Sequence, residues 1–171
     1  MSTNESHVAG SGSTFDQAVQ HVLAAEGGGT ITEDPRDPGG LTKYGISLRA
    51  YPSFRADGIR SLTEAEAIAI YKRDYWDWLK CDQLPARVAF ILFDAAVNQG
   101  QPTAAKLLQL ACNVHADGII GDETLRAAQA VDPATLTSER ILRYAQAQGF
   151  VVYGRGWIKR SISTLVKALS L

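Results

Sequence analysis

Apolar residues recur at helical spacing in six segments of the chain, and Gly- or Pro-rich stretches separate these segments. Two segments begin with capping-box spacing, Thr14 with Gln17 and Thr63 with Glu66, which predicts that helices start there. The predicted helices cover about 15–25, 63–79, 85–100, 102–112, the later part of 117–131, and a long final segment that begins after Thr137, breaks near 149–156 and then resumes.

The stretch 27–46 interrupts this helical pattern. Its glycines and prolines exclude a helix and favour turns or a small hairpin. The segment 85–100 is instead apolar nearly all round, with Pro85 suited to its first turn and Gly100 to its end, which predicts a central buried helix. The pattern therefore predicts a mainly α fold with a small hairpin or irregular β element after the first helix.

Glu26 stands at the end of the first predicted helix, directly before three glycines. At about 100° per residue it falls inside the apolar arc that contains Phe15, Val19 and Val22. Partial burial and the negative helix C-terminus would both disfavour its charged form, so Glu26 could keep a proton and donate it to a leaving group. The alternative is a glutamate that extends into solvent at a helix end.

General-acid cleavage of a sugar usually employs a second carboxylate, and the following loop offers Glu33, Asp34 and Asp37. Asp34 and Asp37 each precede a proline, so turn capping would explain them equally well. Thr42, a few residues further on, could position a water molecule.

Aromatic side chains on the second predicted helix are candidates for contact with a sugar ring. Tyr71, Tyr75 and Trp78 share a helical face, and Trp76 lies beside them. Aromatic rings suit the apolar faces of sugars, but they are also ordinary core residues. Among the four, Trp76 and Trp78 are the better candidates for a cleft.

Asp94 and Asn98 lie one turn apart on the otherwise apolar helix 85–100. Because buried polar groups need partners, one interpretation is a hydrogen-bonded network in the core. The other is the floor of a substrate cleft that contacts acetamido groups.

The composition, 46% hydrophobic and 20% charged over 171 residues, fits one soluble globular domain without a membrane span. Cys81, Cys112 and three scattered histidines supply neither a disulfide framework nor a zinc site, so we expect no metal and no other cofactor. The polar N-terminus lacks a secretory signal. We therefore expect residues 1–12 to be disordered and the protein to be made in the bacterial cytoplasm.

The charge is unevenly spread, because six basic residues and no acidic residue follow Glu139. The final segment WIKRSISTLVKAL is amphipathic, with Lys159, Arg160 and Lys167 set against apolar positions. A packed terminal helix with a solvated basic face would produce this pattern. Contact with an anionic cell wall or outer-membrane lipid would produce it as well.

The run EGGGTITEDPRDPGGLTKYGIS, residues 26–47, resembles the N-terminal signature of glycoside hydrolase family 108. Members of that family are N-acetylmuramidases (lysozymes), often phage endolysins. The resemblance continues in LTEAEAIAIYKRDYW and FDAAVNQG. The second half, through ADGIIGDETL and GWIKR, resembles the peptidoglycan-binding module that accompanies the family.

The resemblance implies a lysozyme-like α+β fold and hydrolysis of the β-1,4 bond between N-acetylmuramic acid and N-acetylglucosamine. It implies that Glu26 is the essential catalytic residue and that Asp37 and Thr42 support it. Asp34 remains a rival to Asp37, because the segment that follows Glu26 is slightly long. Tyr44, in the same run, is a candidate substrate contact.

Residues 13–100 would then form the catalytic region and residues 101–171 a helical peptidoglycan-binding region, packed together as one compact unit. We expect peptidoglycan glycan strands as the partner, no nucleic acid, a monomer, and action on the cell wall after holin-type release. Gly29 stands where the family usually has Tyr. That departure keeps open a non-catalytic peptidoglycan-binding protein; a muramidase used as a secretion-linked wall-remodelling factor is a further alternative.

Overall fold

The computed structural model describes residues 12–33 and 40–171. Residues 1–11 and 34–39 lie outside it, and with them most of the N-terminal stretch expected to be disordered, as well as Asp34 and Asp37. Eight α-helices lie in the described part of the chain: α1 Thr14–Ala25, α2 Arg55–Ser61, α3 Glu64–Tyr71, α4 Ala86–Gln99, α5 Gln101–Ala111, α6 Asp122–Ala128, α7 Pro133–Ala145 and α8 Phe150–Leu169. Short 3-10 turns cover Pro52–Phe54 and Cys81–Gln83.

Helix α1 begins one residue earlier than the sequence pattern indicates. The capping box is formed by Ser13 and Asp16, with the Ser13 hydroxyl accepting from the Asp16 N–H at 3.2 Å and the Asp16 carboxylate accepting from the Ser13 N–H at 2.9 Å. The predicted capping box of Thr14 with Gln17 is therefore wrong. At the second site, Thr63 and Glu66 do form the predicted box at the start of α3.

A two-stranded antiparallel sheet follows α1, as the glycine- and proline-rich stretch predicted. Strand β1, Thr42–Lys43, pairs with β2, Ile46–Ser47, across a turn made by Tyr44 and Gly45. Both turn residues have positive φ, 54° and 75°, which is what a tight two-residue hairpin with right-handed strand twist requires. An isolated bridge from Thr32 to Thr42 ties this hairpin back to the loop after α1.

Helix α4 is the centre of the molecule. Its residues from Val88 to Ala96 are all buried, and α1, α5, α7 and α8 pack against it. The prediction of a central buried helix is confirmed, with Pro85 and Gly100 as its two caps. The predicted fold class, mainly α with one small β hairpin, is also confirmed.

The predicted second helix does not continue regularly to residue 79. Helix α3 ends at Tyr71, and a π-helical segment, Lys72–Asp77, follows it. A π-helical turn adds a residue to each backbone ring, so the side chains after it are rotated relative to those before. The regular spacing used to place Tyr71, Tyr75 and Trp78 on one face therefore does not hold across this segment.

The last two helices also differ from their predicted limits. Helix α7 begins at Pro133 rather than after Thr137, because the Asp132 side chain caps it by accepting from the Ala134 N–H at 2.8 Å. Helix α8 starts at Phe150, so Gly154 and Gly156 lie inside it and not in a break. Within the described residues, no helix combines the length and apolar character that crossing a bilayer would need.

Candidate active site

Glu26 forms the C-cap of α1, directly before the loop that leads to the hairpin. Its backbone N–H donates to the Val22 carbonyl at 2.9 Å, so the residue still belongs to the last helical turn. Its side chain is 25% exposed, which places the carboxyl at the boundary between core and solvent. Gly27 and Gly28 follow with φ of 81° and 60°, and they turn the chain away from the helix axis.

Arg160, on α8, holds the Glu26 carboxylate. Its Nη1 donates to Glu26 Oε1 at 2.8 Å, while Nη2 and Nε donate to Asp94 Oδ1 at 2.9 and 3.1 Å. Burial works against the charged guanidinium, but Asp94 and Glu26 outweigh it and raise the pKa of Arg160. One arginine therefore bridges a carboxylate in the core and a carboxylate at the surface.

Asp94 lies at the buried end of this bridge and is fully inaccessible to solvent. Besides Arg160, it pairs with Arg140 Nη1 at 2.7 Å and accepts from the Thr164 hydroxyl at 3.2 Å. Burial disfavours its charged form, yet Arg140 and Arg160 hold the pKa of Asp94 below its usual range. Of the two interpretations of Asp94, the hydrogen-bonded network in the core is confirmed and the cleft floor is wrong, because buried partners enclose this carboxylate.

The hairpin turn packs directly against Glu26. A Cβ atom added to Gly45 would lie 2.9 Å from Glu26 Cγ and 2.5 Å from the Tyr71 hydroxyl, so only glycine fits there. The Tyr71 hydroxyl donates to the Tyr44 carbonyl at 2.8 Å and fixes the turn. Burial, reinforced by the Glu26 charge, raises the pKa of Tyr71, so it remains a hydrogen-bond donor over a wide pH range.

Tyr44 occupies the space beside Gly29. A Cβ atom at Gly29 would come within 2.8 Å of the Tyr44 hydroxyl and 3.0 Å of its ring. The half-buried Tyr44 ring thus covers the position at which this chain lacks the tyrosine expected from the resemblance. A hydroxyl near the loop after Glu26 is therefore supplied by the hairpin turn.

Thr42 lies on β1, and its backbone exchanges two hydrogen bonds of 2.9 Å with Thr32. Its hydroxyl donates to the Gly40 carbonyl at 3.1 Å, which leaves the oxygen able to accept a further hydrogen bond. Asp34 and Asp37 lie outside the described residues, so the choice between them stays a prediction.

The two tryptophans have opposite environments. Trp76 is 1% exposed, its Nε1 donates to Asp82 at 2.6 Å, and its ring packs edge-on against Phe93. The prediction of Trp76 as a cleft residue is therefore wrong, because the π-helical segment directs it into the core. Trp78 is 46% exposed and remains a candidate for substrate contact.

Asn98 lies exposed near the end of α4, and its Oδ1 accepts a hydrogen bond from the Tyr144 hydroxyl. Tyr144 in turn accepts from Arg140 Nη2 at 3.4 Å, and Arg140 pairs with Asp94, so Asn98 lies at the outer end of the same polar network. No cluster of three or more His, Cys, Asp or Glu side chains suited to a metal ion occurs in residues 12–33 and 40–171.

Sequence reasoning missed Arg160, Tyr71 and Gly45 as neighbours of Glu26. Arg160 appeared to belong to a solvated basic face, but its side chain is only 18% exposed. For Gly45 the sequence does contain a local pattern. A Tyr-Gly pair between two short segments of alternating polar and apolar residues predicts a tight hairpin turn.

Two comparisons with known proteins show which family this chain belongs to. The family model described as glycosyl hydrolase 108 matches residues 19–100. A solved structure titled "Structure of Brucella abortus SagA" is 31% identical, with a TM-score of 0.82, and the match covers 92% of this chain and 94% of that one. No curated protein matches the chain significantly. The chain belongs to the glycosyl hydrolase 108 family, and it is a glycoside hydrolase with a carbohydrate substrate.

Proposed function

We propose that the protein is an N-acetylmuramidase that hydrolyses the β-1,4 bond between N-acetylmuramic acid and N-acetylglucosamine in peptidoglycan. Glu26 is the general acid that protonates the glycosidic oxygen. The observation that carries this proposal is the position of its carboxyl, anchored through Oε1 by Arg160 and 25% exposed at the end of α1. Within the described residues Oε2 makes no hydrogen bond, so it is available to face the substrate.

Arg160 places a positive charge beside the Glu26 carboxyl, with its Nη1 at 2.8 Å from Oε1. When Glu26 gives its proton to the leaving oxygen, the charge that develops on the carboxylate is stabilised by a cation already in position. The hydrogen bonds that Arg160 Nη2 and Nε donate to Asp94 keep that cation in place.

The loop after α1 and the hairpin supply the residues that act on the sugar cation and on the attacking water. Asp37, or its rival Asp34, stabilises the oxocarbenium-like transition state or activates the water, and Thr42 positions that water. The Thr42 hydroxyl supports this role, because it has an acceptor site free after donating to Gly40.

Substitution of Glu26 by Gln tests the proposal, because the amide keeps the shape but cannot donate a carboxylic proton. With purified peptidoglycan as substrate, we expect E26Q to release new reducing ends at least about 100-fold more slowly than wild type. E123Q, which changes an exposed glutamate on α6, is the matched control and should retain wild-type activity.

Circular dichroism and thermal melting must first show that E26Q is folded. Near wild-type release of reducing ends by folded E26Q would refute the role of Glu26. If the wild-type protein sediments with insoluble cell wall yet releases no reducing ends, the protein is a non-catalytic peptidoglycan-binding protein.

A further inference from the structure

A groove, which we call the α1–α8 groove, lies between the first and the last helix. Its cavity has a volume of about 490 Å³, within the range of about 300–1,000 Å³ that ligand sites usually occupy. Two residues of α1 and four of α8 line it: His21, Ala25, Gly156, Lys159, Arg160 and Ser163. All except His21 and Arg160 are exposed, so the groove is open to solvent.

The α1–α8 groove begins beside Glu26. Ala25 directly precedes Glu26 in the chain, and Arg160 donates from Nη1 to Glu26 Oε1 at 2.8 Å. His21, one turn earlier on α1, bonds to Thr164 at 3.0 Å, so the two helices run antiparallel. The groove therefore extends along both helices from the level of the proposed general acid.

The lining of the groove carries one uncommitted positive charge and no acidic side chain. The Arg160 guanidinium is committed to Glu26 and Asp94. Burial lowers the pKa of His21 below 6.5, so this residue is neutral at pH 7. Lys159 is exposed and forms no ion pair or hydrogen bond with any residue that the structure describes. The groove therefore favours an anionic ligand.

Gly156 leaves space on the α8 side of the groove. It lies in the interior of α8 without a positive φ, and an added Cβ atom would meet no heavy atom within 4 Å. Glycine destabilises a helix interior, and neither backbone conformation nor packing requires it here. Two turns further on, the Ser163 hydroxyl makes no hydrogen bond within the described part of the chain, so it can donate to a ligand.

We propose that the α1–α8 groove binds the acidic peptide stem carried by the N-acetylmuramic acid whose glycosidic bond Glu26 cleaves. This inference rests on the proposed function, because the stem belongs to the same substrate. The stem starts at the lactyl group of that sugar and so leaves the glycan close to the cleaved bond, where the groove begins. Lys159 pairs with a carboxylate of the stem, and Ser163 donates to a peptide carbonyl.

The length and polarity of the groove fit a short peptide. Gly156 and Ser163 are seven residues apart on α8, which is about 10 Å along the axis and matches about three extended peptide residues. An acyl chain or an amphipathic helix would need an apolar lining, but only Ala25 supplies an apolar side chain here. A polar, acidic ligand is therefore the better occupant.

Binding is measured by calorimetry in the E26Q background, where the glycan stays intact. The two probes are tetrasaccharides of alternating N-acetylglucosamine and N-acetylmuramic acid, one with tetrapeptide stems and one without peptide. We expect E26Q to bind the stem-bearing probe more tightly. E26Q/K159Q should bind that probe about fivefold more weakly than E26Q does, the effect of losing one exposed ion pair. It should bind the peptide-free probe as E26Q does, and E26Q/K159R should retain the affinity for the stem-bearing probe.

E26Q/K106Q is the matched control, because it removes an exposed lysine from α5, away from the groove. We expect it to bind both probes like E26Q. Equal affinity of E26Q and E26Q/K159Q for the stem-bearing probe would overturn the inference. Equal loss for both probes, or an equal loss in E26Q/K106Q, would overturn it too. So would a K159Q effect confined to phosphatidylglycerol vesicles, which would assign the groove to lipid.

Substitution of Gly156 by Leu tests the groove without removing a charge. The new side chain would occupy the open space, so we expect E26Q/G156L to bind the stem-bearing probe about tenfold more weakly than E26Q does. Leucine is a much better helix former than glycine, so Tm should not fall. Unchanged affinity in a folded E26Q/G156L would show that the stem does not enter the groove.

Wild-type and K159Q enzymes then separate this inference from the proposed function. If the wild type cleaves stem-bearing peptidoglycan and K159Q raises KM more than it lowers kcat, both stand. If the wild type cleaves and K159Q does not alter KM, the groove assignment is wrong while the proposed function stands. If the wild type does not cleave but E26Q/K159Q still binds the stem-bearing probe more weakly, the groove assignment stands and the proposed function fails.

Discussion

Glu26 is confined from two sides by residues distant in sequence. Arg160 anchors one carboxyl oxygen, and Gly45 packs against the side-chain stem, where an added methyl group would overlap Glu26 and Tyr71. The carboxyl is therefore held in one position before any substrate arrives. Catalysis by a general acid depends on such positioning, because the proton must lie within hydrogen-bond reach of the leaving oxygen.

Substitution of Gly45 by Ala tests this confinement. The new methyl group would lie 2.5 Å from the Tyr71 hydroxyl, at a backbone φ of 75°, so both the turn and Glu26 must shift. We expect kcat to fall by about 100-fold, the size of loss that a misplacement of about 1 Å produces. The measurement is kcat on purified peptidoglycan, normalised to the folded fraction.

G100A is the control for backbone strain alone. Gly100 also has positive φ, 86°, but an added Cβ there meets no atom within 4 Å. We expect G100A to lose stability while kcat per folded molecule stays near the wild-type value. Equal kcat values for G45A and wild type would show that the turn does not position Glu26.

Helical phasing predicts that Glu26 lies on the apolar face of α1, and the structure shows its side chain partly buried at the end of that helix. Phasing was not sufficient to find Arg160, which lies 134 positions further along the chain and reaches Glu26 only through the packing of α8. Helical periodicity describes one helix at a time. It therefore cannot distinguish a basic side chain that contacts a carboxylate on a neighbouring helix from one that faces solvent.

At the scale of helices, a buried ion network joins the second half of the chain to the active site. Asp94 lies on α4, Arg140 on α7, and Arg160 and Thr164 on α8, and all three helices meet at this one carboxylate. Arg140 and Asp94 are both fully buried. Helix α8 therefore carries the cation that holds Glu26, and α7 is tied to the same carboxylate, Asp94, through Arg140.

Replacement of Asp94 by Asn would leave two guanidinium groups without their shared counterion. Removal of one partner from a buried ion pair costs about 3–5 kcal/mol, so we expect D94N to lose about that much stability in urea unfolding. Glu33, whose exposed carboxylate pairs with Arg60 at 2.8 Å, provides the comparison. E33Q should cost no more than about 1 kcal/mol, and similar losses for the two variants would contradict the account.

Element boundaries were predictable only where the local signal is strong. Thr63 and Glu66 marked the start of α3 correctly, since a capping box involves only neighbouring residues. The π-helical segment after Tyr71 carries no comparable local pattern, and within it Trp76 is buried instead of facing a cleft. The inward direction of Trp76 depends on its tertiary contacts with Phe93 and Asp82.

At the scale of the whole molecule, the buried charges make the fold sensitive to acid. Burial lowers the pKa of His21 below 6.5, Arg160 and Arg140 act in the same direction, and Asp94 opposes them only in part. The pKa of Asp94 is itself held below 3.8. In both cases the unfolded chain binds protons at a higher pH than the folded protein does, so acid favours unfolding.

The free energy of unfolding should therefore decline as the pH falls below about 6.5, first through His21, and again below the ordinary range of Asp94. Substitution of His21 by Gln removes the first contribution and can still bond to Thr164. We expect the stability of H21Q to change less between neutral pH and pH about 5 than that of wild type. Urea unfolding at a series of pH values measures this, and parallel curves for both proteins would contradict it.

The central claim is that Glu26 makes this protein a muramidase, and mass analysis of digested peptidoglycan tests it most directly. Wild-type digests should contain fragments whose new reducing end is N-acetylmuramic acid, and E26Q digests should lack them. Fragments that end in N-acetylglucosamine, anhydro ends one water lighter, or intact glycan with freed peptides would instead identify a glucosaminidase, a lytic transglycosylase or an amidase. Any of those three results from the wild-type protein would contradict the account.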